Sequence, residues 1–224
     1  MEFRQLTLPI SWSFSCRATD FVVSDCNRYA FEWLSQWPFK IKENFVCLVG
    51  EKGSGKTHLS KIWASRFSAE FINGTNEIFN KWLELSSENY NQKYFVLDGA
   101  DKIEDDILLF YIYNTVKEKN AYLLLTSETA PSKWDIKLPD VRSRISTLNI
   151  INIQKPDDAA ICSIIEKMLL QRGILSKENV VSYIANSIER SYESINYWVN
   201  RIDKNIDKNT KLSLQVVKEI GIKP

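Results

Sequence analysis

The sequence predicts an α/β fold in which a parallel five-stranded sheet, covered by helices, precedes a smaller all-α domain. Three observations predict it. Five short apolar stretches alternate with segments of helical periodicity as far as residue 154, and buried strands separated by helices pair in parallel with both faces covered. Beyond Lys155-Pro156-Asp157 no strand-like stretch follows and only helical periodicity remains. Glycine is scarce, with seven in 224 residues, yet Gly50, Gly53 and Gly55 fall within six positions directly after the first apolar stretch. A chain that sparing places glycine where the backbone must adopt a conformation other residues avoid.

Residues 1–14 show neither period and carry a Leu8-Pro9 break, so they read as an extended tail. Ser24 can cap a helix over Asp25–Gln36, with Tyr29, Trp33, Leu34 and Trp37 at helical spacing and Pro38 just beyond its end. FVCLV (45–49) is an apolar strand, followed by the glycine-rich turn and a helix through Leu59, Ile62, Trp63 and Phe67. AEFIN (69–73) gives a second strand, and residues 77–85 a helix carrying Ile78, Trp82 and Leu85. YFVLD (94–98) and AYLLLTS (121–127) are strands on either side of a helix over 105–118, and LNIINI (148–153) closes the series. Helices are expected over 157–171, 176–188, 192–206 and 213–220, with Gly173 ending the first of them. The expected domains are therefore a tail at 1–14, an α/β domain at 15–154 and a helical domain at 155–224.

Composition narrows the function. Hydrophobic residues make up 44% and charged residues 25% of the chain, the balance of an ordinary globular protein. The net charge of +1 provides no global basic field for nucleic acid or an anionic membrane. The longest apolar runs, Phe45–Val49 and Ala121–Leu125, fall far short of the ~20 residues a membrane span needs, and the N-terminus has no signal-peptide pattern. Four cysteines without a CxxC pair suit free thiols in a reducing cytoplasm. The single histidine, His58, leaves almost nothing from which to build a histidine zinc site.

The segment Gly50-Glu51-Lys52-Gly53-Ser54-Gly55-Lys56-Thr57 matches G-x-x-x-x-G-K-[ST], placed between a strand and a helix as that motif requires. Glycines let consecutive backbone N–H groups turn inward around phosphate oxygens, Lys56 neutralises the β- and γ-phosphates, and Thr57 offers its hydroxyl to Mg²⁺. His58 follows at the start of the helix, where a surface position is expected rather than a catalytic one. Asp98, at the end of the YFVLD strand, is placed to hold the metal's water shell. The next position, where a second acid would orient attacking water, is Gly99. Asp101 cannot take that role unless the backbone follows a different path, and a surface turn is expected for it. Further on, Thr126 and Ser127 end a strand in hydroxyls, and Arg142 and Arg144 lie in a short Pro139–Arg144 helix.

In this order the motifs resemble an AAA+ ATPase of the DnaA replication-initiator branch, over about residues 18–205. Asp20-Phe21-Val22-Val23-Ser24-Asp25-Cys26-Asn27-Arg28-Tyr29-Ala30 is similar to the segment that opens the initiator's nucleotide domain and packs against adenine. The resemblance thus implies that Val22, Val23 and Asn27, with Gly50, Gly53, Ser54, Gly55, Lys56, Thr57 and His58, hold ADP or ATP. Thr57 and Asp98 would hold Mg²⁺, partly through water. Leu124–Pro131 resembles the sensor strand with its T-S-D-x-x-P continuation, which puts Ser127 at the nucleotide. Ser143-Arg144 matches the Ser-Arg whose arginine is a finger into a neighbouring subunit. Arg190-Ser191-Tyr192-Glu193-Ser194-Ile195-Asn196 aligns with R-S-N-V-R-E-L, with Ser194 where the family has a phosphate-contacting arginine. With Gly99 and Ser194 in place of two charge-stabilising groups, weak intrinsic ATPase activity is expected.

The tail adds a second resemblance. Gln5-Leu6-Thr7-Leu8-Pro9-Ile10 is similar to the Q-L-[S/D]-L-P-L form by which Hda-like members of this branch dock on the DNA polymerase sliding clamp (β subunit). Pro9 holds Leu8 extended, Leu8 and Ile10 suit an apolar pocket, and the Gln5 amide suits its rim. The initiator carries a helix-turn-helix domain after its lid, and none is expected in the residues up to Pro224. The resemblance thus implies a Hda-like regulator that binds nucleotide and clamp and promotes hydrolysis of DnaA-bound ATP, with no sequence-specific nucleic-acid contact and with self-association left open. The alternatives are an active AAA+ ATPase such as a helicase loader and, less well matched, a nucleotide kinase. A kinase needs an arginine-rich lid, and only three arginines follow Pro156.

Overall fold

An apolar run with no polar alternate has no face to offer water, and β1 (Phe45–Val49) is buried at all five positions. In the computed structural model, which describes residues 21–72, 93–206 and 211–222, it lies inside a parallel sheet. β4 (Tyr122–Ser127) pairs with one side of β1 and β5 (Asn149–Asn152) with the other, so that Cys47 stands level with Leu125 and Ile150. β3 (Tyr94–Leu97) joins β4, and β2 (Glu70–Ile72) joins β3. The order is β2-β3-β4-β1-β5.

Side chains alternate across the sheet with a period of two, and the two faces carry separate cores. Cys47, Val49, Leu97, Leu123 and Leu125 pack beneath α3 (Asp106–Glu118) and α4 (Pro139–Ser146), against Leu109, Ile112, Val116, Val141 and Ile145. Val46, Leu48, Val96 and Leu124 face α1 (Asp25–Gln36) and α2 (Lys56–Phe67), against Ala30, Leu34, Leu59 and Trp63. Each fully buried aliphatic side chain contributes about 1.5–3 kcal/mol. A one-residue slip of β1 would exchange the two sets.

Helix starts follow the side chains that can satisfy their first N–H groups. The Asp105 carboxylate accepts from the Ile107 and Leu108 N–H groups at 2.9 and 3.1 Å, so Asp105 is the cap of α3 rather than its first turn. At α1 the Ser24 N–H donates to Asn27 Oδ1 at 2.9 Å. β3 ends one residue before the apolar run suggests. Gly99 has φ +76°, a left-handed conformation that turns the chain out of the sheet into the 3₁₀ turn Ala100–Lys102.

Past Pro156 come α5 (Asp158–Gln171), α6 (Glu178–Ser187), α7 (Tyr192–Asn205) and α8 (Leu214–Glu219). They bury Ile161, Ile165, Leu169, Ile184, Ile195, Val199 and Val217 in a third core of their own. Asp157 and Ser191 cap α5 and α7, accepting from the Ala160 and Ser194 N–H groups. Gly173, at φ +75°, follows the end of α5. The tail with Gln5, Leu6, Leu8, Pro9 and Ile10, and the helix expected over residues 77–85, lie outside the described residues. Among the described residues, no helix is long and apolar enough to cross a membrane.

Candidate functional site

The loop between β1 and α2 lies at the carboxyl ends of the strands, where an open parallel sheet leaves room for a ligand. Two conformations in it demand glycine: Gly53 has φ +80° and Gly55 φ +92°. A Cβ on Gly53 would stand 3.0 Å from Asn196 Nδ2 and 3.2 Å from Tyr192 Cβ, so the first turns of α7 press directly against the loop. The Ser54 hydroxyl is buried and has no hydrogen-bond partner among the described residues. Lys56 Nζ donates to the Gly50 and Glu51 carbonyls at 2.6 and 2.9 Å. Burial pushes its pKa down from the ordinary lysine range, while Glu128, Asp101 and Asp98 act in the opposite sense.

Asp98 is the centre of the polar arrangement. Its Oδ2 accepts from Thr57 Oγ1 at 2.8 Å, and its Oδ1 accepts from Thr126 Oγ1. The Gly99 N–H in turn donates to Thr126 Oγ1 at 2.9 Å. A hydroxyl and a carboxylate in this contact are the donor set that holds Mg²⁺ and its waters beside a phosphate loop. Bound there, the metal would neutralise charge on the β- and γ-phosphate oxygens. A cavity of about 290 Å³ opens between Lys52, Lys56, Thr57, Asp98, Asp101 and Glu128. A loop turned by two left-handed glycines, an orphaned buried hydroxyl and one lysine ammonium fit a polyphosphate.

A second cavity of about 280 Å³ adjoins it and is mostly apolar. Phe21, Val22 and His58 line it from the α/β side, and Ile164, Met168 and Tyr192 from the helical side. Phe21 meets His58 edge-on, with ring centroids 5.5 Å apart. Such a slot suits a flat heterocycle. Asn27 also lines it, yet both ends of its amide are engaged within the chain, Nδ2 donating to the Val22 carbonyl at 2.8 Å and Oδ1 accepting from Ser24. Asn27 therefore shapes the Val22 loop. Val23 is 39% exposed and does not line the cavity.

Ser127 lies at the wall of the first cavity, but its hydroxyl donates to the Thr129 carbonyl at 2.6 Å and neighbours Cys47. Thr126 is the β4 hydroxyl that reaches Asp98. Strand parity carries that information: Leu124 faces α2, so Thr126 does too, whereas Ser127 faces the opposite core. Burial pushes the Cys47 thiol up to about 11, against the lowering effect of the Ser127 hydroxyl, and a thiol so placed is inert.

Arg144 lines neither cavity. Its guanidinium, with the side chain 36% exposed, donates to Asn114 Oδ1 at 2.8 Å, pairs with Asp140 at 3.0 Å and lies over the Phe110 and Tyr113 rings. Arg142 turns the other way, onto the Ile136 carbonyl. On α7, Ser194 offers no charge, and Arg190 is spent on an exposed pair with Asp158 at 3.0 Å. Tyr192 ties the helical domain to the rest, its buried hydroxyl contacting Cys26 at 3.1 Å and the Gln154 carbonyl at 3.3 Å. Burial pushes the phenol pKa up, so it stays neutral. The pattern of the lid sequence pointed to position 194 and gave no sign of Tyr192 or Asn196.

Known proteins place this geometry. No family model matches the chain. An uncharacterised protein of Haemophilus influenzae is 24% identical over 233 residues, covering 97% of this chain and 98% of the relative. The chromosomal replication initiator protein DnaA of Wolinella succinogenes is 26% identical over 225 residues. That match covers 89% of this chain and 50% of DnaA, so the chain spans about half the length of the DnaA relatives it matches. Domain III of Thermotoga maritima DnaA superposes with a TM-score of 0.71 at 18% identity, covering 92% of this chain and 96% of the domain. Aquifex aeolicus DnaA bound to AMPPCP superposes with a TM-score of 0.63 at 21% identity, over 81% and 63%. The chain has the AAA+ fold of DnaA domain III, and its sequence is related to DnaA.

Lys56→Ala is expected to weaken nucleotide binding about ten- to hundredfold, the loss of a charge-assisted phosphate contact worth roughly 1.5–3 kcal/mol. Titrating both proteins with labelled ADP and ATP in Mg²⁺ checks it. Equal affinities would remove the loop from the binding site.

Proposed function

We propose that the chain is a Hda-like regulator of replication initiation, which holds an adenine nucleotide with Mg²⁺, docks on the DNA polymerase sliding clamp and promotes hydrolysis of ATP held by DnaA. One observation carries this reading. A full phosphate-loop arrangement, from Lys56 to the Thr57–Asp98–Thr126 contact, sits in the same fold as an arginine that lines neither of its own cavities. Arg144 is a surface charge that another subunit's nucleotide can use. The relation to DnaA, the AMPPCP held by the Aquifex aeolicus protein and the Q-L-T-L-P-I tail support the reading.

The nucleotide then serves mainly as structure. It fills the seam between the loop and α2 on one side and the C-terminal helices on the other. The test is a reconstitution of ATP-bound DnaA with DNA-loaded clamp and this protein, reading the ATP that remains on DnaA. Retention of all the ATP would exclude a regulatory role.

The tail is tested separately. Leu8→Ala should weaken clamp binding by around 2 kcal/mol, about 30-fold, as for a buried interface hot spot. A protein beginning at Ser11 should lose clamp binding altogether. Undiminished binding by that shortened chain would show that the clamp, if it binds, uses another surface.

A further inference from the structure

We propose that Asp101 is the carboxylate that positions the attacking water when ATP is hydrolysed at this chain's own phosphate loop. The proposal rests on reading Gly50–Thr57 as a nucleotide site. The position next to Asp98, where such an acid is expected, holds Gly99, and an extended chain would carry Asp101 roughly 10 Å beyond Asp98. The backbone does not run straight. Gly99 at φ +76° opens a 3₁₀ turn, closed by the Lys102 N–H donating to the Gly99 carbonyl at 3.0 Å. The turn brings Asp101 back to the wall of the cavity that Lys56, Thr57 and Asp98 also line.

The carboxylate is held there from a second strand. Its Oδ2 accepts from the Glu128 N–H, just past β4, at 2.9 Å. Its Oδ1 is buried and accepts no hydrogen bond from the described residues. A buried carboxylate oxygen needs a donor, and a water aligned for attack brings two O–H bonds. Asp101 is also among the charges that favour the ammonium form of Lys56, which places it within electrostatic reach of the lysine that contacts phosphate.

The step balances without a further reagent. The water donates one hydrogen bond to Asp101 while its oxygen adds to the γ-phosphorus. The bond from that phosphorus to the β,γ-bridging oxygen breaks, and ADP leaves with the electron pair. The water's proton passes to the Asp101 carboxylate or to the phosphate and then to solvent. Without an arginine at position 194 this reaction is slow, so Asp101 accounts for residual turnover rather than an efficient enzyme.

Asp101→Asn separates this role from a structural one. Asparagine keeps a carbonyl oxygen for the Glu128 N–H and loses the negative charge. With protein in excess over labelled ATP and with Mg²⁺ present, the variant should hydrolyse bound ATP about 10²-fold more slowly or worse, the range of a lost general base. Its dissociation constants for ATP and ADP should stay within about threefold of wild type, and its melting temperature should not move. Equal hydrolysis rates would overturn the proposal. So would a variant that binds nucleotide poorly or melts several degrees lower, because Asp101 would then be an anchor for the end of β4. A wild type that binds ATP but hydrolyses none above background overturns it as well. A wild type that does not bind ATP would instead sink the nucleotide site itself.

Discussion

Trp37→Ala should lower the melting temperature by roughly 6–20 °C, the loss of about 3–5 kcal/mol expected for emptying a large aromatic site in a chain of this size. Trp37 is fully buried at the end of α1. Its ring stacks on Trp63 of α2, with centroids 4.6 Å apart and planes 18° from parallel, and meets the Tyr122 ring of β4 edge-on at 5.9 Å. Its Nε1 donates to the Glu43 carbonyl at 2.7 Å, and its own carbonyl accepts from Trp63 Nε1 at 3.3 Å. One side chain thus joins two helices, a strand and the segment entering β1. Alanine would leave a cavity and also lose the Nε1 contact to the Glu43 carbonyl, and both terms add. Trp37→Phe keeps most of the ring and loses the Glu43 contact, so its cost should fall near 1–3 kcal/mol. Tyr29→Ala, at a side chain 64% exposed on the same helix, should stay within about 0.5 kcal/mol of wild type. Thermal melts of the three variants decide it. A Trp37→Ala protein melting within 2 °C of wild type (about 1 kcal/mol or less) would show that the aromatic stack does not hold this layer.

Trp37 illustrates what the sequence makes legible. Its spacing from Trp33 and Leu34 marks it as apolar at helical period, and the apolar runs of β1, β3 and β4 mark strands covered on both faces. The phosphate loop is legible for a different reason. Its glycines are required by backbone geometry, and geometry of that kind leaves a pattern in the letters. Side chains whose role depends on turn direction leave none. Thr126 and Ser127 are adjacent hydroxyls, and only the knowledge that α2 covers the Leu124 face selects Thr126 as the partner of Asp98. Asp101 reads as a surface acid until the left-handed Gly99 bends it back. Tyr192 reads as one more aromatic on an amphipathic helix, although its hydroxyl reaches Cys26, 166 residues away in the chain. Val23 shows the converse, since membership in the right segment did not put its side chain in the cavity.

On the proposed function, Arg144→Ala should slow clamp-dependent hydrolysis of DnaA-held ATP by about 10³–10⁵, the range over which an arginine supplied in trans acts on phosphoryl transfer. The charge that develops on the transferred group is stabilised chiefly by placed positive charge, and a planar guanidinium meets phosphate oxygens with two parallel N–H bonds. Within this chain the Arg144 head uses one N–H on Asn114 and pairs with Asp140, and it rests on the faces of Phe110 and Tyr113. These contacts restrict its rotamers before any partner arrives, so less conformational entropy is lost on engagement. A guanidinium carries five N–H donors, which leaves donors for a phosphate alongside these contacts. Arg144→Lys should rescue little, because an ammonium cannot reproduce the fork or the ring stacking. Arg142→Ala serves as the neighbouring control, since Arg142 is committed to the Ile136 carbonyl and is expected to affect folding more than trans hydrolysis. The measurement follows ATP on DnaA in the presence of DNA-loaded clamp, with nucleotide and clamp binding by each variant checked in parallel. Stimulation by Arg144→Ala equal to wild type, with both kinds of binding intact, would refute the finger. A wild type that never stimulates would remove the regulatory reading with it and leave a nucleotide-binding module whose Arg144 serves only to tie α4 to α3.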